Sequence, residues 1–222
     1  MLQHVQEIHR ESAVWMRSLI MNALATPVVV RTALTKVPPR ERDAWLDLVL
    51  GLDSMPDDGP ELPRGCVPYL PCPVDALLHM IERAGVQASD VFVDIGSGVG
   101  RAAASVHLLT GAAVIGIEIQ PGLVQAARDL TTRLNGLRFS PIEGDAARVT
   151  ACVAGASVFF LYCPFSGARL EALLNDLEPI ARMRQIRVCC VDLPLPPRHW
   201  LKLVPPASEG LAVYRSTLLD EA

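Results

Sequence analysis

Three closely spaced glycines connect an apolar run to a helical pattern. Segment 91–101 reads VFVDIGSGVGR, with glycines at Gly96, Gly98 and Gly100 and with Ser97 between the first two. Glycine lets the backbone adopt positive φ angles and lets a ligand approach the main chain closely. Doubly wound sheets bind their ligands above the carboxyl ends of the strands, at such loops. The segment therefore predicts a ligand site that includes Ser97 and the three glycines.

Asp94 gives this loop a preference for positive charge. It precedes Gly96 by two residues, and the spacing is G-x-G-x-G. Dinucleotide-binding loops instead read G-x-G-x-x-G and hold a pyrophosphate at the helix N-terminus. A carboxylate at the strand end repels a pyrophosphate and attracts the ammonium group of a methionine moiety. Both features favour S-adenosylmethionine (SAM) over a nicotinamide cofactor.

Two more acids follow the next two predicted strands. Glu118 comes one strand–helix step after the glycine loop, where an acid can accept hydrogen bonds from both ribose hydroxyls. A nicotinamide cofactor would use such an acid too. Asp145 can accept from the exocyclic amine of adenine, with the backbone of Ala146 beside the ring; alternatively, Asp145 caps the helix that follows. With Ile119, these residues extend the predicted cofactor site.

The elements that position these acids alternate along the chain. Strand-like apolar runs at 91–95, 113–119, 137–143, 157–162 and 186–192 are separated by helical patterns at 99–110, 121–135, 146–151 and 167–177. Runs 199–204 and 211–218 have no helix between them and must pair antiparallel. The sequence therefore predicts an α/β fold: a doubly wound, seven-stranded, mostly parallel sheet with a C-terminal antiparallel hairpin.

A helical extension is predicted before this sheet. Helices are expected over 1–25, ended by Pro27, and over 41–50, followed by Gly51 as a C-cap. A proline-rich connector follows, then a helix over 73–84. We divide the chain into an extension at 1–65 and a main domain at 66–222. The extension is expected to select substrate or to form a homodimer.

Composition excludes several classes of function. The net charge is −4, whereas nucleic-acid binding rests on Lys and Arg, so a nucleic-acid partner is not expected. The six cysteines and five histidines show no zinc-ligand spacing, so no metal is predicted. No apolar run reaches the roughly 20 residues of a membrane span, and no signal peptide is evident. We expect a cytoplasmic protein without a membrane partner.

The motifs DIGSGVG, Glu118 and GDA, in this order and spacing, resemble those of class I SAM-dependent methyltransferases with a seven-strand Rossmann-like fold. The resemblance covers about residues 66–218. It implies SAM as the cofactor and methyl transfer as the reaction. It also implies that Asp94, Glu118 and Asp145 contact the methionine amine, the ribose and the adenine.

A narrower resemblance concerns residues 69–73, which read YLPCP. Together with the glycine loop they are similar to the front of the non-SET, Dot-type lysine methyltransferases and related bacterial proteins. This implies that Tyr69 closes over the methionine end of SAM; alternatively, Tyr69 only anchors its loop. Cys72 stands where that family usually has threonine. The resemblance points to a protein or peptide amine as acceptor; a small metabolite, or a non-catalytic SAM sensor, are the alternatives.

The acceptor is expected next to segment 161–166, which reads LYCPFS. Methyltransferases of planar amines or amides often carry N/D-P-P-Y/F here, so Cys163-Pro-Phe165 disfavours adenine N6 and glutamine as acceptors. Phe165 either forms an aromatic wall for a cation or packs under the loop. Cys163 is either a reactive thiol or a buried inert one. Tyr162 is a candidate on both the cofactor and acceptor sides, but neither it, Asp192 nor His199 is a convincing general base.

Overall fold

The computed structural model describes residues 6–52, 56, 59, 62–148, 153–206 and 210–217. Its seven strands form one sheet in the order β3-β2-β1-β4-β5-β7-β6. They are β1 Val91–Ile95, β2 Ala113–Glu118, β3 Phe139–Glu143, β4 Val158–Tyr162, β5 Arg187–Val191, β6 Leu201–Leu203 and β7 Leu211–Ser216. Strands β1 to β5 are parallel, and β7 is antiparallel to both β5 and β6. The predicted fold class and the terminal hairpin are confirmed.

Seven α-helices accompany the sheet in this part of the chain. They are α1 Glu7–Met21, α2 Pro27–Thr35, α3 Pro39–Leu50, α4 Val74–Ala84, α5 Arg101–Thr110, α6 Pro121–Arg133 and α7 Ala168–Met183. The helix expected over 146–151 is a short 3₁₀ helix at Ala146–Arg148. Residues 1–5, 149–151 and 218, which the predicted elements included, lie outside the described residues.

Two helix predictions are corrected at prolines. Pro27 begins α2, which the sequence reading missed, because proline fits the first turn and the Thr26 side chain accepts from the Val29 amide. Helix α7 continues through Pro179, although proline removes a helical hydrogen bond. Beyond Pro179, Ile180 and Ala181 are buried in the core, so tertiary packing offsets that loss.

Alternate residues of each strand point to opposite sides of the sheet, and both sets are mostly apolar, so both faces of the sheet are apolar. Phe92, Val158 and Phe160 belong to one core cluster, which also includes side chains of α4, α5 and α6. Val93 and Phe159 belong to the other, with the apolar face of α7. Parallel sheets are normally covered in this way. Because β1 to β5 are parallel, their carboxyl ends lie at the same edge of the sheet.

The N-terminal helices join the first of these two clusters. Buried side chains of α1, α2 and α3 share it with α4 and α5. Trp45 of α3 donates from its indole to the Ser12 hydroxyl of α1 at 2.8 Å. Arg31 of α2 donates to the Leu109 carbonyl of α5 at 2.6 Å. Among the described residues, no helix is long and apolar enough to cross a membrane.

Candidate functional site

The glycine loop is held against β2 and covered by side chains of the protein itself. The amides of Gly96 and Ser97 both donate to the Ile117 carbonyl, at 2.9 and 3.0 Å. A Cβ atom added at Gly98 would overlap the ring of Tyr69, and Gly98 has a φ of 54°. A Cβ atom at Gly100 would overlap the ring of Phe139, a residue distant in the sequence, so packing requires glycine at this position as well.

Asp94 is buried at the end of β1 with one oxygen left unpaired. Only 3% of the residue is exposed. Burial first, and the neighbouring Glu118 second, raise the pKa of its carboxyl to about 7, while a hydrogen bond from the Ala103 backbone acts against them. Within the described residues its Oδ2 has no hydrogen-bond partner. A buried oxygen without a partner is unfavourable, and an ammonium group from a ligand would satisfy it.

Glu118 at the end of β2 is fixed by three backbone amides. Its Oε2 accepts from Gly98 at 2.9 Å. Its Oε1 accepts from Ile119 at 2.8 Å and from Gln120 at 2.9 Å. Charge-assisted bonds of this kind hold a carboxylate in one orientation. One lone pair, on Oε2, is left by these three bonds and is therefore preorganised for a donor such as a ribose hydroxyl.

Asp145, after β3, makes two contacts on one carboxylate oxygen. Its Oδ1 accepts from the Ala147 amide at 3.1 Å, which is the helix-capping role that the sequence left open. The same oxygen pairs with Nη2 of Arg169 at 2.7 Å. Arg169 belongs to the first turn of α7, so an ion pair connects Asp145 to the helix that follows loop 161–166.

A cavity of about 250 Å³ lies at this edge of the sheet. It brings together most of the predicted site residues, namely Tyr69, Gly96, Glu118, Ile119, Asp145, Ala146, Tyr162, Cys163 and Phe165. Asp94, Ser97, Gly98 and Gly100 are not among its lining residues. Side chains that the sequence did not single out also line it, among them Cys66, Gln120 and Arg169; Asp192, which the sequence analysis considered only as an unconvincing base, lines it too.

The strand order arranges the acids in a row. Following β3-β2-β1-β4-β5, the strand ends carry Asp145, Glu118, Asp94, Tyr162 and Asp192. An elongated ligand that meets the first three acids has its far end beside Tyr162 and Asp192. The row therefore fits SAM with adenine over β3, ribose over β2, the methionine amine over β1 and the acceptor over β4 and β5.

Loop 66–73 supplies one wall of the cavity, with residues 66–70 among its lining. The Val67 amide donates to the Pro164 carbonyl at 3.1 Å, and Cys66 forms a backbone bridge with Phe165. The Tyr69 ring packs on Gly98, and burial raises the pKa of its phenol. Tyr69 thus anchors the loop and also forms part of the wall. Phe165 is buried beneath the loop and reaches the same wall.

The loops after β4 and β5 are locally strained. Cys163 and Asp192 have φ angles of 43° and 51°, in a region that non-glycine residues seldom adopt. The Cys163 thiol has one proton to donate, and its two acceptors are the carbonyls of Asp192 at 2.8 Å and Val191 at 3.3 Å; burial raises its pKa. These features describe a protonated, structural thiol. His199 pairs with Glu178 instead of facing the cavity.

The missed side chains have a signal only in retrospect. Asp192 directly follows β5, Gln120 lies two residues after β2, and Arg169 stands in the first turn of α7. Residues at these positions commonly line sites in parallel sheets. These residues form no sequence motif. The partner of Arg169, for example, is Asp145, which lies in a different loop and is distant in the sequence.

Comparison with known proteins agrees with the fold and with the cofactor motifs. A family model described as "Histone methylation protein DOT1" matches residues 71–138, which include the glycine loop and Glu118 but not β4, β5 or the loops that follow them. No curated protein matches the chain.

Solved methyltransferases resemble the chain over about two thirds of its length. A putative methyltransferase from Escherichia coli is 18% identical, with 73% of this chain and 91% of that chain covered and a TM-score of 0.53. An RNA methyltransferase from Salinibacter ruber in complex with S-adenosyl-L-homocysteine is 27% identical, with 69% and 96% covered and a TM-score of 0.49. The fold and the motif region are those of a Rossmann-like SAM-dependent methyltransferase, as the sequence predicts.

Proposed function

We propose that this SAM-dependent methyltransferase modifies a lysine-like amine on a protein or peptide. The observation that carries the proposal is the Asp192 carboxylate in the cavity wall beyond the predicted methionine end. None of the salt bridges among the described residues involves it. A carboxylate at this place that the described residues leave without an ion pair attracts a cationic acceptor.

The rim of the cavity supports an amine at the end of an apolar stem. Val67 and Leu70 of loop 66–73 line the cavity, and both are exposed to solvent. A lysine side chain has an apolar stem and a cationic head. The two rim residues would contact the stem, while Asp192 would contact the head. The match of residues 71–138 to a histone methylation family agrees with such an acceptor.

The residues that surround the cavity would act mainly by binding and orientation. When bound, SAM supplies a methyl group on a positively charged sulfur, which is already activated for displacement. Asp94, Glu118 and Asp145 would hold the cofactor in one register, and Asp192 with Tyr162 would direct the acceptor nitrogen toward it. The nitrogen must lose a proton to attack; desolvation by the apolar wall lowers its pKa, whereas the Asp192 carboxylate that attracts it raises that pKa. Transfer would form a C–N bond as the C–S bond of SAM breaks, and the proton of the nitrogen would leave to water at the open rim.

The proposal is tested with tritiated SAM and a cell extract divided by size. We expect label in the protein fraction, recovered as methyllysine after hydrolysis. Asp192→Asn should lower the transfer rate at least tenfold and leave the affinity for S-adenosylhomocysteine (SAH) within twofold. The control is Asp129→Asn, since Asp129 is an exposed acid on α6 outside the cavity. Label confined to small molecules would instead support a metabolite methyltransferase. Bound SAH without any transfer would support a sensor.

The organisation of the chain and its assembly are also proposed. We infer a helical extension at 1–65, a main domain at 66–222, a cytoplasmic location and a homodimer formed through the N-terminal helices. Ile8, Trp15 and Val28 of α1 and α2 support the dimer, because all three are more than half exposed. Light scattering tests it: Trp15→Asp should halve the mass if the helices form the interface.

A further inference from the structure

Arg169 has an arrangement that simple surface ion pairs do not explain. It pairs with Asp145 at 2.7 Å, lines the cavity, and its side chain is only 20% exposed. Its Nε atom is buried and has no hydrogen-bond partner within the described residues. A buried donor without a partner is unfavourable, so holding the Arg169 guanidinium at this cavity carries a cost.

The pairing decides which oxygen of Asp145 is free. A carboxylate oxygen has two lone pairs. The Oδ1 atom already accepts from the Ala147 amide and from Nη2 of Arg169. Its capacity is therefore used, and Oδ2, on which the described residues make no polar contact, is the oxygen left for a ligand. A planar guanidinium also restricts rotation of the carboxylate that it binds.

We propose that Arg169 is a positioning residue that orients Asp145 toward the exocyclic amine of the bound adenine. Arg169 thereby makes this end of the cavity selective for a 6-amino purine over a 6-oxo purine. A 6-oxo base presents an acceptor where Asp145 also offers an acceptor, so the two oxygens repel each other. The proposal concerns the cofactor end and is independent of the identity of the methyl acceptor.

The experiment measures ligand selectivity instead of activity. Calorimetry gives the affinities of the full chain for SAH and for S-inosyl-L-homocysteine, in which an oxygen replaces the adenine amine. We expect wild type to prefer SAH. Arg169→Met should weaken SAH binding about tenfold, the effect of one charged hydrogen bond, and change S-inosylhomocysteine binding less than twofold. Arg169→Lys, which keeps the charge, should lose less selectivity.

Two further variants separate positioning from folding. Asp145→Ala should lose the same selectivity, and adding Arg169→Met to it should cause no further loss. Arg182→Met is the matched control, because Arg182 lies on the same helix and pairs with Glu178 at 2.6 Å. Equal weakening of both ligands by Arg169→Met, or no weakening of either, would overturn the proposal. So would a wild type that binds the two ligands equally.

Discussion

The Asp94→Asn substitution should stabilise the free protein while it weakens cofactor binding. Burial and Glu118 raise the pKa of Asp94 from its ordinary value of 3.8 to about 7. Each pKa unit corresponds to about 1.36 kcal/mol, so the ionised side chain destabilises the fold by about 4 kcal/mol above pH 7. A folded-state pKa that is raised means that stability is lost as pH rises from 3.8 through 7. Asparagine is neutral and can still accept from the Ala103 amide.

Urea unfolding and calorimetry check the two halves of this prediction. At pH 8 the free energy of unfolding of Asp94→Asn should exceed that of wild type by up to about 4 kcal/mol, and the difference should vanish near pH 4. SAH affinity of wild type should fall about twentyfold between pH 7.5 and pH 5.5, because the ligand ammonium needs the ionised form. The variant should bind weakly at both pH values. A less stable variant at pH 8, or a wild-type affinity that does not change with pH, would refute the reasoning.

Three other substitutions test the surroundings of the site. Gly98→Ala should lower the free energy of unfolding by about 2 kcal/mol and weaken SAH binding, because a Cβ at positive φ displaces Tyr69; urea unfolding and calorimetry measure both. Arg101→Met should destabilise by about 2 kcal/mol, less than the 3–5 expected for a fully buried pair because Asp47 is a third exposed; unchanged stability would contradict this. Cys163→Ser should keep methyl transfer within twofold, because serine can make the same backbone bonds.

The sheet and the glycine loop could be predicted because their signals are local. Each strand of the parallel region is a short apolar run, and its burial on both faces leaves no polar alternation to confuse the assignment. The first core strand was predicted with its observed bounds, Val91–Ile95. Helix ends at prolines were less predictable, since Pro27 could end one helix or begin the next. Only the Thr26 cap and packing on α5 decide between them.

The contacts that position the site were not predictable from one sequence. Arg101 donates to Asp47 at 2.5 Å and to the Cys72 carbonyl at 2.7 Å. Its partners therefore come from α3 and from loop 66–73, and no local pattern relates them. The same holds for Arg169 and Asp145. Sequence motifs identify groups that can contact a ligand, whereas the side chains that orient those groups become neighbours only when the chain folds.

The three acids predicted to contact the cofactor differ in how many of their hydrogen-bond acceptor positions are already occupied by the protein itself. Glu118 accepts three backbone amides, and Asp145 accepts one amide and one guanidinium. Asp94 alone combines complete burial with an unpartnered oxygen in the described structure. A positive ligand group therefore gains most at Asp94, where it relieves an existing desolvation penalty. Electrostatic discrimination between ligands should accordingly be concentrated there, so that removal of the ligand's amino group weakens binding more than removal of one ribose hydroxyl.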